Sequence, residues 1–349
     1  MALDKALTRQ KLTTLWEDGK VKVFETVGKK YAIISDTHLG DGGEADDFRD
    51  NAETLQTALE HYRAHKYALI LLGDIEEFWQ FDLEKITARY GNPIYEKLRA
   101  FGSDRVHRIF GNHDREWGGF PDPVKSGPAQ SAGAAEAIKM KDAHGATRIL
   151  IVHGHQGSID ADKGSWFSRF FVRIFKSFEG LAKWAHLYGH SSATKSQVTK
   201  DFEQTLYGWA KENRVLLICG HSHRAIFASK SYAEKLKDEI GKLQADNLAN
   251  RDDQEKVKRN IKEIQKLLQK LLDEQQKERE IDPTEPDAEP VPCYFNSGCA
   301  LYSDGITTIE IDNDEIRLVK WNRDTGKVPR HEIFDKGGLT EFLQKIDAV

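Results

Sequence analysis

The chain has 349 residues, of which 39% are hydrophobic and 31% charged, with a formal net charge of -5. That length suits one large domain, or a domain with an insertion, and the slight acidity argues against a polycationic nucleic-acid binder. Cys219, Cys293 and Cys299 form no CxxC or paired framework, which excludes a disulfide scaffold and suits a reduced, cytoplasmic setting.

In chain order, residues 1–20 read as a short amphipathic helix with Leu3, Leu7, Leu12 and Leu15 on its apolar side. They lack the apolar run of a signal peptide, and no stretch of the chain approaches the length of a membrane span. Val21, Val23 and Val27 alternate with polar neighbours before a turn at Gly28. Tyr31–Ser35, Tyr67–Leu72, Val106–Phe110, Thr147–Val152 and Val215–Cys219 are short apolar runs of the kind that form buried strands. Between them, Asn51–His65 has helical spacing, and Lys85–Phe101 is helical with an interruption at Gly91-Asn92-Pro93. Later strands around Tyr294, Ile306–Ile311 and Ile316–Trp321 are expected to be antiparallel. These elements predict an α/β fold: a central sheet or β-sandwich flanked by helices.

Two segments stand apart. Ser165–Leu187 carries Trp166, Phe167, Phe170, Phe171, Ile174, Phe175, Phe178, Leu181 and Trp184 among Arg169, Arg173, Lys176 and Lys183. It reads as a basic, aromatic amphipathic helix or helix pair. Within 165–190 it is either a helix packed on the core or a lid for acyl chains with peripheral membrane contact. Residues 231–281 are rich in Lys, Glu, Asp and Gln. Val257, Ile261, Ile264, Leu268 and Leu271 recur with gaps of four and three, a coiled-coil seam. Tyr232, Leu236, Ile240 and Leu243 form an earlier stripe, and 246–250 is the expected turn of an antiparallel helical hairpin. A single long helix is the alternative, with 282–292 carrying the chain back. The arm is either a solvated structural element or a surface for a homodimer or protein partner. The chain thus divides into a core over 1–230, the charged insertion over 231–281, and a return over 282–349 that completes the core.

Each of the five apolar runs ends in polar residues of metal-ligating type. They are Asp36-Thr37-His38, Gly73-Asp74, Gly111-Asn112-His113-Asp114, His153-Gly154-His155 and Gly220-His221-Ser222-His223. Ligands bind at the C-terminal ends of strands in open α/β sheets. In Asp36/His38 and His221/His223, i and i+2 side chains on an extended segment would share a face. This ordered set resembles the calcineurin-like metallophosphoesterase family over roughly residues 30–230, with Asn296-Ser297-Gly298 as a further turn.

The resemblance implies a four-layer αββα sandwich and hydrolysis of a phosphate ester or pyrophosphate by a hydroxide bridging two metals. Two cations about 3.5–4 Å apart need a shared anionic ligand, and Asp74 is the expected bridge. By resemblance, Asp36, His38 and His223 complete one metal site, and Asn112, His153 and His221 the other. Imidazole with carboxylate suits Mn, Fe or Zn, with Mn favoured. Either His153 or His155 is the ligand of the fourth motif; the resemblance favours His153, with His155 then contacting substrate or supporting the ligands. His113 suits a general acid or electrostatic stabiliser, with Asp114 orienting its ring. Arg115 either binds a phosphate oxygen or is a solvated loop residue. His61, His65, His107, His144, His186, His190 and His331 belong to no motif and are expected at the surface or in packing.

There is also partial similarity to the UDP-2,3-diacylglucosamine pyrophosphatases in Gly73–Trp79 and in the helical insertion after the fourth motif. That branch usually has Arg where His113 stands. The resemblance therefore implies a phosphorylated small-molecule or lipid-linked substrate, met in the cytoplasm or at the inner membrane face. The competing readings are a soluble phosphodiesterase or phosphomonoesterase, and a scaffold on the same fold that docks a partner through the helical arm; a nucleic-acid partner is not expected.

Overall fold

A computed structural model describes residues 4–118, 133–157, 192–249, 253, 255–266, 290–323 and 328–349. Thirteen strands among these residues form two facing sheets. The first contains β1 (Val23–Glu25), β5 (Ala137–Lys141), β6 (Thr147–Val152), β7 (Leu216–Cys219), β10 (Tyr294–Ser297), β8 (Ala225–Phe227) and β9 (Lys230–Ser231), in that spatial order. The second runs β13 (Arg330–Gly338), β12 (Glu315–Asn322), β11 (Gly305–Asp312), β2 (Lys30–Ile34), β3 (Ala68–Leu72) and β4 (Val106–Ile109). Both sheets are mixed, consistent with the sandwich that the resemblance implies.

Period-two alternation explains the layering. In β2, Tyr31 and Ile33 join the core shared with the first sheet, while Ala32 and Ile34 join the core under the outer helices. In β3, Ile70 and Leu72 face the first core, and Leu69 and Leu71 the second. Both strands are buried on both faces, so they read as continuous apolar runs rather than alternating ones. Helix α1 (Lys5–Glu17) and α5 (Ser192–Asn213) cover the first sheet through Leu12, Leu15, Phe202, Leu206 and Trp209. The Trp209 indole donates to Thr13 Oγ1 at 3.0 Å. Asp4 caps α1 by accepting from Leu7 N at 3.0 Å, a contact of about 1 kcal/mol. On the other side, α2 (Ala52–Ala64), α3 (Leu83–Tyr90) and α4 (Glu96–Arg99) pack on the second sheet. The Gly-Asn-Pro interruption is a π turn, Gly91–Tyr95, not a break. The C-terminal helix α7 (Leu339–Asp347) buries Leu339, Phe342, Leu343 and Ile346 against the first core.

Two expectations change. Tyr294 does not sit in an antiparallel strand alone: β10 runs parallel to β7 and antiparallel to β8. The run 246–249 is not a turn, because α6 spans Tyr232–Ala249. Nothing in Asp246-Asn247-Leu248-Ala249 breaks a helix as Gly or Pro would. A second helical run covers 255–266, capped by Asp253, whose carboxylate accepts from Lys256 N at 3.0 Å. Asp246 accepts from Lys256 Nζ at 2.9 Å and from Asn260 Nδ2 at 2.8 Å, joining the two runs. The seam residues Leu268 and Leu271, the return 282–289 and the aromatic segment 165–187 lie outside the described residues. Among the described residues, no helix is long and apolar enough to cross a membrane.

Candidate metal centre

The loops leaving β2, β3, β4, β6 and β7 converge at one end of the sandwich. Ten described residues other than glycine have positive φ, and five of them are Asp36, His38, Asp74, His221 and His223, at 48° to 68°. Such backbone is strained for an L-residue, by about 1–3 kcal/mol each, and persists only where the surroundings enforce it. Here Asp36 N donates to Gly73 O (3.1 Å), and His38 N to Asp74 O (3.0 Å). The extended-segment argument for Asp36/His38 and His221/His223 is therefore corrected: these pairs converge through left-handed backbone, not through the pleat. The motif glycines have a steric reason. A Cβ on Gly111 would lie 2.1 Å from Asp74 Oδ1, and one on Gly73 would lie 2.5 Å from His153 Nδ1.

Three groups of His, Asp and Glu have ligand atoms within 4.8 Å of one another: Asp36/His38/His223, Asp74/His153/His221 and His38/Glu77/His113. His223 Nε2 lies 3.3 Å from Asp36 Oδ1 and 3.2 Å from His38 Nε2. Asp74 Oδ2 links the first two groups, 3.1 Å from His153 Nε2 and 3.9 Å from His38 Nε2. Its Oδ1 accepts from His113 N at 2.8 Å. His153 is oriented by Nδ1, 2.8 Å from Leu72 O, which leaves Nε2 for the site.

Electrostatics make the same point. Burial works against charge on Asp74, yet the facing imidazoles of His153 and His113 hold its carboxyl well below the usual range. Asp36 is likewise lowered against burial, by His153 and His223. Burial opposes protonation of His153 too, but Asp74 and Asp36 override it and raise the group to about 10. Burial and the neighbouring positive charge of His153 push His221 down to about 3. Two fully buried carboxylates thus demand positive charge. Asn112 Oδ1 is also buried without a hydrogen-bond partner, a costly arrangement. Divalent cations answer both demands, and the imidazole, carboxylate and amide donors fit a dinuclear site.

The calcineurin-like phosphoesterase family model matches residues 29–225, more than half of the chain. The chain belongs to that family. It is a metal-dependent hydrolase of phosphoester bonds. No curated protein matches the sequence significantly, and nothing singles out the UDP-2,3-diacylglucosamine pyrophosphatase branch. Strand β10 lies beyond the matched region of this phosphoesterase domain but serves the site. Asn296 Nδ2 donates to Gly220 O at 2.6 Å, and Ser297 Oγ meets Ser35 Oγ at 2.7 Å beneath Asp36.

His113 does not take its orientation from Asp114. Asp114 is fully buried, and its two oxygens accept from Gly111 N (2.6 Å) and Ile75 N (2.8 Å). It braces two loops. Burial, with Asp74 and Glu76 nearby, raises it to about 7. The partner of His113 is Glu77, whose oxygens lie 2.8 and 2.9 Å from Nδ1. Glu77 also meets His38 Nδ1 at 2.8 Å, and against its burial these two imidazoles lower it to about 2. The Trp79 ring stacks on His113 at 3.8 Å and 22°. Burial alone would lower His113; Asp74 and Glu77 raise it instead.

Sequence reasoning passed over Glu77, and the signal was a second carboxylate three residues after Asp74 in Gly-Asp-Ile-Glu-Glu. His155 is buried and belongs to none of the three converging groups; burial and His153 keep it well below its usual value. Arg115 is exposed at the start of a 3-10 turn, Arg115–Gly118, and its charge contributes to holding His155 neutral.

Proposed function

We propose that this hydrolase cleaves a phosphate ester with a poor, oxygen-centred leaving group, and that His113 protonates that oxygen. The observation that carries the reading is the Glu77–His113–Trp79 arrangement. A carboxylate grips Nδ1 from behind, an indole fixes the ring plane, and Asp74 and Glu77 favour the protonated ring. The remaining edge of the ring is then a held proton donor beside the metal groups. Two divalent cations, when bound, supply Lewis acidity at the phosphoryl oxygens and lower the pKa of water. Asp36, His38 and His223 would hold one, and Asn112, His153 and His221 the other, with Asp74 between them. Mn is the cation we favour, with Fe or Zn compatible with the same donors.

A pyrophosphate bond releases a phosphate, which needs little help from a proton donor, whereas an alkoxide needs much. The His113 arrangement therefore favours an ester over a lipid-linked nucleotide-sugar pyrophosphate. The test is a leaving-group series of substituted phenyl phosphate esters with the Mn-loaded protein. In His113→Asn, hydrolysis of the least activated ester should fall by about 10²–10⁴-fold, and that of the nitrophenyl ester by much less. An equal loss across the series would remove the proton-donor role.

A further inference from the structure

Behind the metal loops lies a polar group that takes no direct part in this chemistry. Glu76 is fully buried, and its carboxylate takes three donors. Arg108 Nη1 and Trp117 Nε1 each donate to Oε2 at 2.7 Å, and Tyr95 Oη donates to Oε1 at 2.7 Å. The Arg108 guanidinium also lies over the Trp117 ring, 5.0 Å from its centroid. Both side chains of the Arg108–Glu76 pair have zero exposure. A buried ion pair is often no more stabilising than apolar residues of the same volume, so its geometry is the more informative property.

The four residues come from four segments: the loop after β3, strand β4, the 3-10 turn after the third motif, and the π turn. The chain on either side of Glu76 serves the site. Ile75 N is held by Asp114, and Glu77 N donates to Leu39 O at 3.1 Å. Glu76 points back into the core while Glu77 points forward, spanning His38 and His113. A π turn re-aims the side chains of a helix relative to a regular one and recurs at functional sites. Here it aims the Tyr95 hydroxyl at Glu76.

We propose that Glu76 is a positioning residue: with Arg108, Tyr95 and Trp117 it fixes the Glu77 carboxylate, and through it the attitude of the His113 ring. This rests on His113 acting as the leaving-group donor. Misplacement of a reacting group by about 1 Å can cost about 10²-fold in rate.

The test avoids a change at Glu76 itself. Glu76→Gln removes the carboxylate charge that faces the buried Arg108 and endangers folding. Tyr95→Phe removes one donor and keeps the ion pair, so it is the decisive variant. In Mn-loaded Tyr95→Phe, kcat on the least activated phenyl ester should fall by about tenfold, with KM within about twofold of wild type. The loss should shrink as the leaving group improves. In the metal-free protein, the Nδ1 proton of His113, followed by NMR, should shift or exchange faster than in wild type. A variant with lowered Tm, an unchanged leaving-group profile and an unmoved Nδ1 proton would show Glu76 to be structural only and overturn the proposal. If His113→Asn itself shows no leaving-group dependence, the donor reading fails. The Nδ1 proton alone then decides whether Glu76 positions the Glu77–His113 pair.

Discussion

Among the described residues, histidines gather in two places, and the two groups are built in opposite ways. At the metal loops, His38, His113, His153 and His223 present ring nitrogens to Asp36, Asp74 and Glu77 at 2.8–4.0 Å. Near the other end of the second sheet, where α2 ends just before β3 begins, His61, His65 and His331 stack face to face. His61 lies 4.0 Å from His65 at 28° and 5.0 Å from His331 at 20°. Trp321 meets His61 and His331 edge-on. One nitrogen of His65 is occupied by His61 O at 2.8 Å, and one of His331 by Glu310 Oε1 at 2.8 Å. Among the described residues, none of these three belongs to a group of converging ligand atoms. Residue type does not make a metal site; carboxylates that draw imidazole edges toward a shared space do. The three stacked rings behave as aromatic packing with a titratable edge.

The sharpest way to break this contrast is to remove the carboxylate at its centre. Asp74→Asn should lower turnover by about 10³-fold or more and reduce metal content measured on the purified protein. Its circular dichroism spectrum should remain that of wild type. Full activity with two bound metals would deny Asp74 the bridging role. A smaller effect separates the two histidines of the fourth motif. His153→Ala should lose one metal equivalent by elemental analysis, while His155→Ala keeps both and changes KM. The opposite pattern would transfer the ligand role to His155.

The five strand-end motifs were legible because each apolar run that ends in one is largely buried, and such runs stand out in a charged chain. The loops beyond the strands were less legible. Left-handed backbone at Asp36, His38, Asp74, His221 and His223 has no compositional mark, since side-chain and loop contacts impose it. Strand β13, Arg-His-Glu-Ile-Phe-Asp-Lys-Gly-Gly, was missed because it is a charged edge strand with little apolar content, as exposed edges tend to be. In β5, Lys139 hides the pattern: it is buried, yet its ammonium reaches Asp18 O at 3.0 Å and lies over the Trp16 ring. Glu77 was missed for another reason. The two carboxylates of Gly-Asp-Ile-Glu-Glu were visible in the sequence, but which of them turns toward the histidines and which toward Arg108 is decided by packing.

The smallest expected effect concerns the stacked group, and its sign can be worked out. Burial lowers His61 first, the neighbouring His65 and His331 lower it further, and Glu310 opposes them. The unfolded chain therefore binds this proton more readily than the folded one. Stability from His61 is fully present above its ordinary value of 6.5 and declines as pH falls below it. Glu310 acts in a separate, lower window: burial would raise it, but the His331 contact lowers it. Its contribution is present above 4.5 and is lost as pH falls through the depressed value. His61→Phe keeps a flat ring between His65 and His331 and removes the proton. The difference in Tm between pH 7 and pH 5 should then shrink, while kcat/KM stays within about twofold of wild type, since none of the converging groups among the described residues contains His61. A variant whose Tm remains as pH-dependent as wild type would locate the acid sensitivity elsewhere. A variant that lost activity in proportion would tie the stack to the metal loops, and the contrast between the two histidine groups would fall.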